Sequence, residues 1–163
     1  MDRRAALMAM SASTLSACGF ELRRAPKLPF RSIALVGFEP QSPVGQSLRQ
    51  QLTAGSVQVM EAPANAEAVF EALIDKREKS VVASTAAGQV REVQLRAKLR
   101  FRVATPAGKL LLAVDELLLT RDMSYSETAA LAKAQEEALL YRAMEDDIVA
   151  QVLRRLAAIK LVS

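Results

Sequence analysis

Histidine and tryptophan are absent from this 163-residue chain, cysteine occurs once and tyrosine twice. Without histidine there is no ordinary neutral-pH acid/base residue, no Ser-His-Asp or Cys-His arrangement, and none of the commonest metal ligand. A single cysteine leaves no internal disulfide and no cysteine zinc site. What remains is ordinary globular material. The chain is 51% apolar and 25% charged with a formal charge of +4, enough apolar surface for one domain with a real core and too much for disorder. Composition therefore favours a binding or structural part over an enzyme.

The N-terminus reads as a processing signal. Arg3 and Arg4 precede an uncharged stretch from Ala5 to Ala17, which has the length of a signal-peptide apolar region and is too short to span a bilayer. It ends in Leu15-Ser16-Ala17-Cys18-Gly19, which resembles the lipobox of bacterial lipoproteins. That resemblance makes residues 1–17 a signal peptide and Cys18 the acylated first residue of the mature chain; the acyl and diacylglycerol groups on Cys18 are the only non-protein groups expected. Several acyl chains hold a protein durably where one does not. Lipoproteins kept at the inner membrane typically carry aspartate after the cysteine, so Gly19 points to the outer membrane.

Residues 18–30 read as a tether, since Arg23, Arg24 and Lys27 favour solvent and Pro26 and Pro29 oppose helix. Residues 31–163 then form one domain. Arg31–Phe38 predicts a first strand. Ser42-Pro43 predicts a helix start, with Val44, Leu48 and Leu52 on one face and Gly55 at its end. A few extended residues can follow at Ser56–Met60. Ala68–Ala83 predicts a long second strand leaving through Ala86-Ala87-Gly88. Val90–Val103 alternates most clearly: Val93, Leu95, Ala97, Leu99, Phe101 and Val103 against Gln94, Arg96, Lys98, Arg100 and Arg102. Pro106-Ala107-Gly108 predicts a hairpin into Lys109–Thr120. From about Glu127 a helical stripe runs through Leu131, Ala134, Ala138, Tyr141, Met144, Ile148, Val152, Leu156 and Ile159, a helix of roughly 30 residues. The expected fold is an α+β two-layer sandwich: a mostly antiparallel four-stranded sheet, with the short helix and the long C-terminal helix on one face.

Arg96, Lys98, Arg100 and Arg102 share one strand face at about 6.6 Å spacing. Two readings stay open. They are a solvated face neutralised across strands by Glu71, Asp75, Asp115 or Glu116, or an electrostatic platform for an anionic ligand such as a phosphate. Nucleic acid fits poorly, because aromatics for base stacking are sparse. Glu136-Glu137 and Asp146-Asp147 are adjacent on a helix, diverge by about 100°, and make weak metal or catalytic pairs.

The run Cys18-Gly19-Phe20-Glu21-Leu22-Arg23, the element order, and the segment Arg121-Asp122 … Ala130-Leu131-Ala132-Lys133 … Met144 … Leu153-Arg154-Arg155-Leu156 together resemble the LPS-assembly lipoprotein LptE family. The resemblance covers nearly the whole chain from Cys18. It implies an outer-membrane lipoprotein with no catalysis and no cofactor, sitting 1:1 as a plug inside the lumen of the β-barrel LptD, helping that barrel assemble, and binding lipopolysaccharide on its way to the outer leaflet. The family's lipopolysaccharide-binding lysine falls on Lys133, near the start of the long helix, where backbone N–H groups favour anions. A second basic residue near the turn between the second and third long strands is not matched by Ser84-Thr85-Ala86-Ala87-Gly88, and Arg91 just after it is the substitute. The competing classes are a generic outer-membrane lipoprotein adaptor for another envelope complex and a small periplasmic hydrolase, the latter disfavoured by the missing histidines.

Overall fold

The computed structural model describes residues 27–160. The signal peptide and Cys18 lie outside the described residues. The core begins early, with Phe30 buried and Leu28 packed against it from the stretch read as tether.

Five strands form one sheet: β1 (Ser32–Val36), β2 (Gln58–Met60), β3 (Ala68–Ser84), β4 (Val90–Ala104) and β5 (Leu110–Ser124), in the order β2-β1-β3-β4-β5. The count exceeds the four expected by β2. Its three residues lie parallel to β1 and continue the extended stretch anticipated at Ser56–Met60. β1 also runs parallel to β3, whereas β3, β4 and β5 form an antiparallel meander. Both meander turns are built alike: Thr85 and Thr105 each accept the backbone N–H four residues on, from Gln89 and Lys109 at 3.1 Å.

Helix α1 (Pro43–Ala54) starts where Ser42-Pro43 places it. The Ser42 Oγ accepts from the Gly45 N–H at 2.9 Å, Pro43 supplies a position that needs no N–H, and Val44, Leu48 and Leu52 are buried. Helix α2 (Ala130–Ala157) follows a 3-10 turn at Glu127–Ala129. The two helices touch each other and cover one face of the sheet, the two-layer arrangement the element order implies.

Between them lies the core. The odd residues of β4 from Val93 to Val103 are all buried, Phe70 stacks on Phe101 with centroids 4.8 Å apart, and Phe38 stacks on Phe70 at 5.7 Å. Each fully buried apolar side chain of this size contributes about 1.5–3 kcal/mol. The α2 stripe is buried only from Tyr141 onward. Leu131 and Leu139 are 77% and 61% exposed, and Ala134 and Ala138 also face solvent, because the first three turns of α2 run beyond the apolar part of the sheet.

β1 pairs with β3 only as far as Glu71, so Ala72–Ser84 extends past it with β4 as its one neighbour. The chain leaves the sheet at Gly37. Its φ is +82°, and a Cβ there would lie 2.1 Å from the Ala72 carbonyl oxygen, so only glycine fits. At the same level β3 carries a bulge between Ala72 and Ile74, which reverses which side chains face the helices.

Candidate functional site

The far end of the sheet, where β3, β4 and β5 outrun β1, gathers the basic residues. Lys133, in the first turns of α2, is folded down rather than extended: its Nζ donates to Ser124 Oγ at 3.0 Å and to Glu136 Oε2 at 2.8 Å, and the side chain is only 19% exposed. Arg91 is exposed at the start of β4, and its carbonyl accepts the Tyr125 N–H at 2.8 Å. Ser124 and Tyr125 are neighbours in the chain, so the two sequence-predicted residues are joined through one short segment. A cavity of about 260 Å³ opens there, lined by Arg91, Gln89, Val90, Ser126, Glu127 and Thr128. The helix start has no side-chain cap at Ala129, but the preceding 3-10 turn already pairs the Ala129 and Ala130 N–H groups with the Ser126 and Glu127 carbonyls, and it carries the Glu127 carboxylate.

Lys79 belongs to the same cluster and was not singled out from sequence. It donates to Glu137 Oε2 at 2.6 Å and lies 5.7 Å from the Tyr125 ring centroid. The bulge puts Asp75, Arg77 and Lys79 opposite Leu99, Ala97 and Leu95, on the helix side. Three charges at alternate positions of a strand are the signal that could have found them, but only with the bulge known.

Arg77 fastens α2 to this part of the sheet. Its Nε and Nη2 bond both oxygens of Glu145 at 2.5 and 2.8 Å, Glu145 is 6% exposed, and the guanidinium sits 5.0 Å over the Tyr141 ring, whose hydroxyl donates to the Glu78 carbonyl at 2.7 Å. The Glu145 hydrogen bonds hold the Arg77 pKa above its ordinary value, and burial pushes the Tyr141 phenol up. Beside the clasp, a cavity of about 460 Å³ reaches the N-terminus of α1, lined among others by Glu39, Ser42, Asp75, Arg77 and Glu145. Burial raises the Asp75 carboxyl; the Ser42 hydroxyl, donating at 2.5 Å, opposes that, and the charges of Glu145 and Glu39 add to it.

The outer sheet face carries the four-cation stripe as the alternation requires. Arg102 pairs with Glu71 at 2.6 Å and Lys98 with Glu116 at 3.1 Å, while Arg96 donates to Gln94 Oε1 at 2.6 and 2.9 Å, and Gln94 in turn bonds Asp122 at 3.0 Å. Lys76 adds a pair with Glu78, whose carboxyl that lysine holds below its usual range. Arg100 has no ion pair among the described residues. Two of the four anions named as neutralisers, Glu71 and Glu116, do so; Asp75 and Asp115 lie on the helix side instead, the first because of the bulge and the second because it adjoins Glu116 on a strand. Asp115 there meets Arg155 of α2. Among the described residues no group of three or more His, Cys, Asp or Glu is placed to hold a metal, and no helix is long and apolar enough to cross a membrane.

Comparison with known proteins adds three findings. The family model described as LptE, Lipopolysaccharide-assembly, matches residues 30–156. The LPS-assembly lipoprotein LptE of Photorhabdus laumondii is 27% identical over 158 residues, spanning 94% of this chain and 84% of that protein. Among solved structures, an uncharacterized lipoprotein B from Nitrosomonas europaea superposes with a TM-score of 0.72 at 29% identity, covering 86% of this chain and 91% of that one. The rare lipoprotein B of Shewanella oneidensis, at 24% identity and a TM-score of 0.65 over 78% of this chain and 94% of its own, shares the fold.

Proposed function

This chain belongs to the LptE family of lipopolysaccharide-assembly proteins, and on that premise we propose that it is a non-catalytic outer-membrane lipoprotein. In this reading it fills the lumen of the LptD β-barrel, helps that barrel assemble, and holds lipopolysaccharide through Lys133 and Arg91. The observation that carries the ligand-binding part is the meeting of Lys133 and Lys79 at the Ser124-Tyr125 segment, to which Arg91 is joined through its carbonyl, next to the start of the long helix. Phosphate groups are what lysine ammonium groups and an arginine fork recognise. Glu136 and Glu137 hold the two lysines until an anion of higher charge displaces them. Lys133 ranks above Arg91 because its position is fixed by two bonds.

The outer face serves the plug role. A barrel lumen is polar, and the outer antiparallel face, with Lys76, Lys98 and Arg102 in ion pairs, presents polar groups to it without a large unbalanced charge. Of Arg96, Lys98, Arg100 and Arg102, only Arg100 remains free of hydrogen bonds and ion pairs within the described residues, so it is the stripe residue available to a ligand or to the barrel wall. Cys18 anchors the chain through its acyl groups, and no other cofactor takes part.

The test is lipopolysaccharide binding by the purified protein together with recovery of the barrel from membranes. A charge-assisted phosphate contact is worth about 1.5–3 kcal/mol, so Lys133→Glu is expected to weaken binding by about tenfold or more, with Lys133→Gln intermediate and both variants folded. Unchanged binding would remove Lys133 from the site. A protein that binds no lipopolysaccharide and brings down no barrel would instead be an adaptor for another envelope complex. Cys18→Ala tests the anchor separately, and a variant still acylated would refute that assignment.

A further inference from the structure

β5 is the last strand of the sheet, fifteen residues long, and nothing covers its outer backbone groups among the described residues. Such edges are ordinarily guarded by shortness, proline, a bulge or charged side chains, inward-pointing ones included. β5 contains no proline and its irregular pairing with β4 lies between Leu110 and Asp115, so Asp115–Ser124 is a regular edge whose guard is its charges, Asp115, Glu116, Arg121 and Asp122. Leu118, at 53% exposed, stands in its middle.

We propose that this edge pairs antiparallel with the same edge of a second copy of the chain, about a two-fold axis at Leu118. The charges choose that register. Three residues beyond Leu118, Arg121 on the strand faces Asp147 on α2 at 3.9 Å; three residues before it, Asp115 on the strand pairs with Arg155 on α2. The two ion pairs have opposite polarity, basic strand with acidic helix and then the reverse. A two-fold axis at Leu118 exchanges the two levels, so each Arg121 meets Asp115 of the other copy, and the acidic end of one helix pair approaches the basic end of the other. Neighbouring registers lose this match: centring on Leu119 sets Glu116 against Asp122, and centring on Leu117 or Thr120 puts no opposite charges face to face. On the outer face the Leu118 register places Leu118 on Leu118 and Glu116 opposite Thr120, with no like charges in line.

Symmetric about Leu118, the pairing spans Asp115–Arg121 of the regular segment, a small interface, so the dimer is a weak and reversible one. It gives the edge an occupant whenever no other partner encloses the domain. The inference stands apart from the proposed function, since a self-paired edge and one enclosed by a barrel are alternative states of the same surface.

Single-cysteine chemistry on the full chain tests it. Leu118→Cys, in the purified full chain without the barrel and under mild oxidation, is expected to give a disulfide-linked homodimer that the parent chain and a Val82→Cys control do not. In sedimentation of the purified full chain, Arg121→Asp, which sets like charges opposite each other twice, is expected to weaken the dimer by about tenfold. Circular dichroism shows whether each variant folds. A chain monomeric at every concentration, or Leu118→Cys without a homodimer, overturns the proposal.

Discussion

The Arg77–Glu145 clasp makes a quantitative prediction, because its two members are buried so unequally. Glu145 is 6% exposed and Arg77 half exposed, with both carboxylate oxygens taken up at 2.5 and 2.8 Å. Removing the guanidinium in Arg77→Met leaves a nearly buried carboxylate without its partner. Breaking a fully buried pair costs about 3–5 kcal/mol; the half-exposed arginine lets water reach one side, which brings the expectation down to about 2 kcal/mol. With a urea dependence of about 1–3 kcal/mol per molar, the unfolding midpoint should fall by about 1 M. Arg77→Met combined with Glu145→Leu replaces the pair by apolar groups of similar size and should recover most of that loss. The same variants should separate global from local effects. Hydrogen exchange in Ser124–Leu139 should speed up in Arg77→Met, since the first turns of α2 have no apolar packing of their own and hang on Arg77, Lys79 and Lys133. If Arg77→Met costs under about 0.5 kcal/mol, or if the double variant is no more stable than the single, the clasp does not hold the helix and the reasoning fails.

Two further predictions follow from the junction of β1 with β3. Gly37→Ala would set a methyl 2.1 Å from the Ala72 carbonyl at a φ of +82°; a loss of about 3 kcal/mol or more is expected in thermal or urea unfolding, and a near-neutral result would mean that the chain leaves the sheet differently. Asp75 holds its proton more tightly in the folded state, chiefly through burial. A carboxyl raised in this way stabilises the fold when protonated, and that contribution is lost as pH rises through its folded-state value. Asp75→Asn keeps an acceptor for the Ser42 hydroxyl and removes the buried charge. Its Tm should exceed the parent's near neutral pH, with the gain shrinking to nothing on acidification below the carboxylate range; a gain that persisted in acid would point to a cause other than the charge.

Much of this protein was legible without coordinates. The two-residue period of Val93–Val103 and the Ser42-Pro43 cap depend only on neighbours in the chain, and both appear where local physics puts them. The four-cation stripe follows from the same period; the element order gave the α+β layering, and the Cys18–Arg23 run with the Arg121–Leu156 segment carried the family resemblance that the matched residues 30–156 bear out. Long-range facts decided the rest. The Ala72/Ile74 bulge is set where β1 leaves the sheet at Gly37, and it alone sends Asp75, Arg77 and Lys79 to the helix side. The period that placed Arg96–Arg102 could not say which face Asp75 takes, because the bulge intervenes in its strand. The helical stripe could not say where its burial would begin, because that depends on how far the apolar part of the sheet reaches beneath it, and the answer is Tyr141 rather than Leu131. Nor could spacing show that Lys133 is tied to Ser124 and Glu136, or that most of the outer cations already have partners. Periodicity is a property of one strand or one helix, so the sequence determined the elements and their faces; which charges meet is a property of register between strands distant in the chain, and only the tertiary structure decided it.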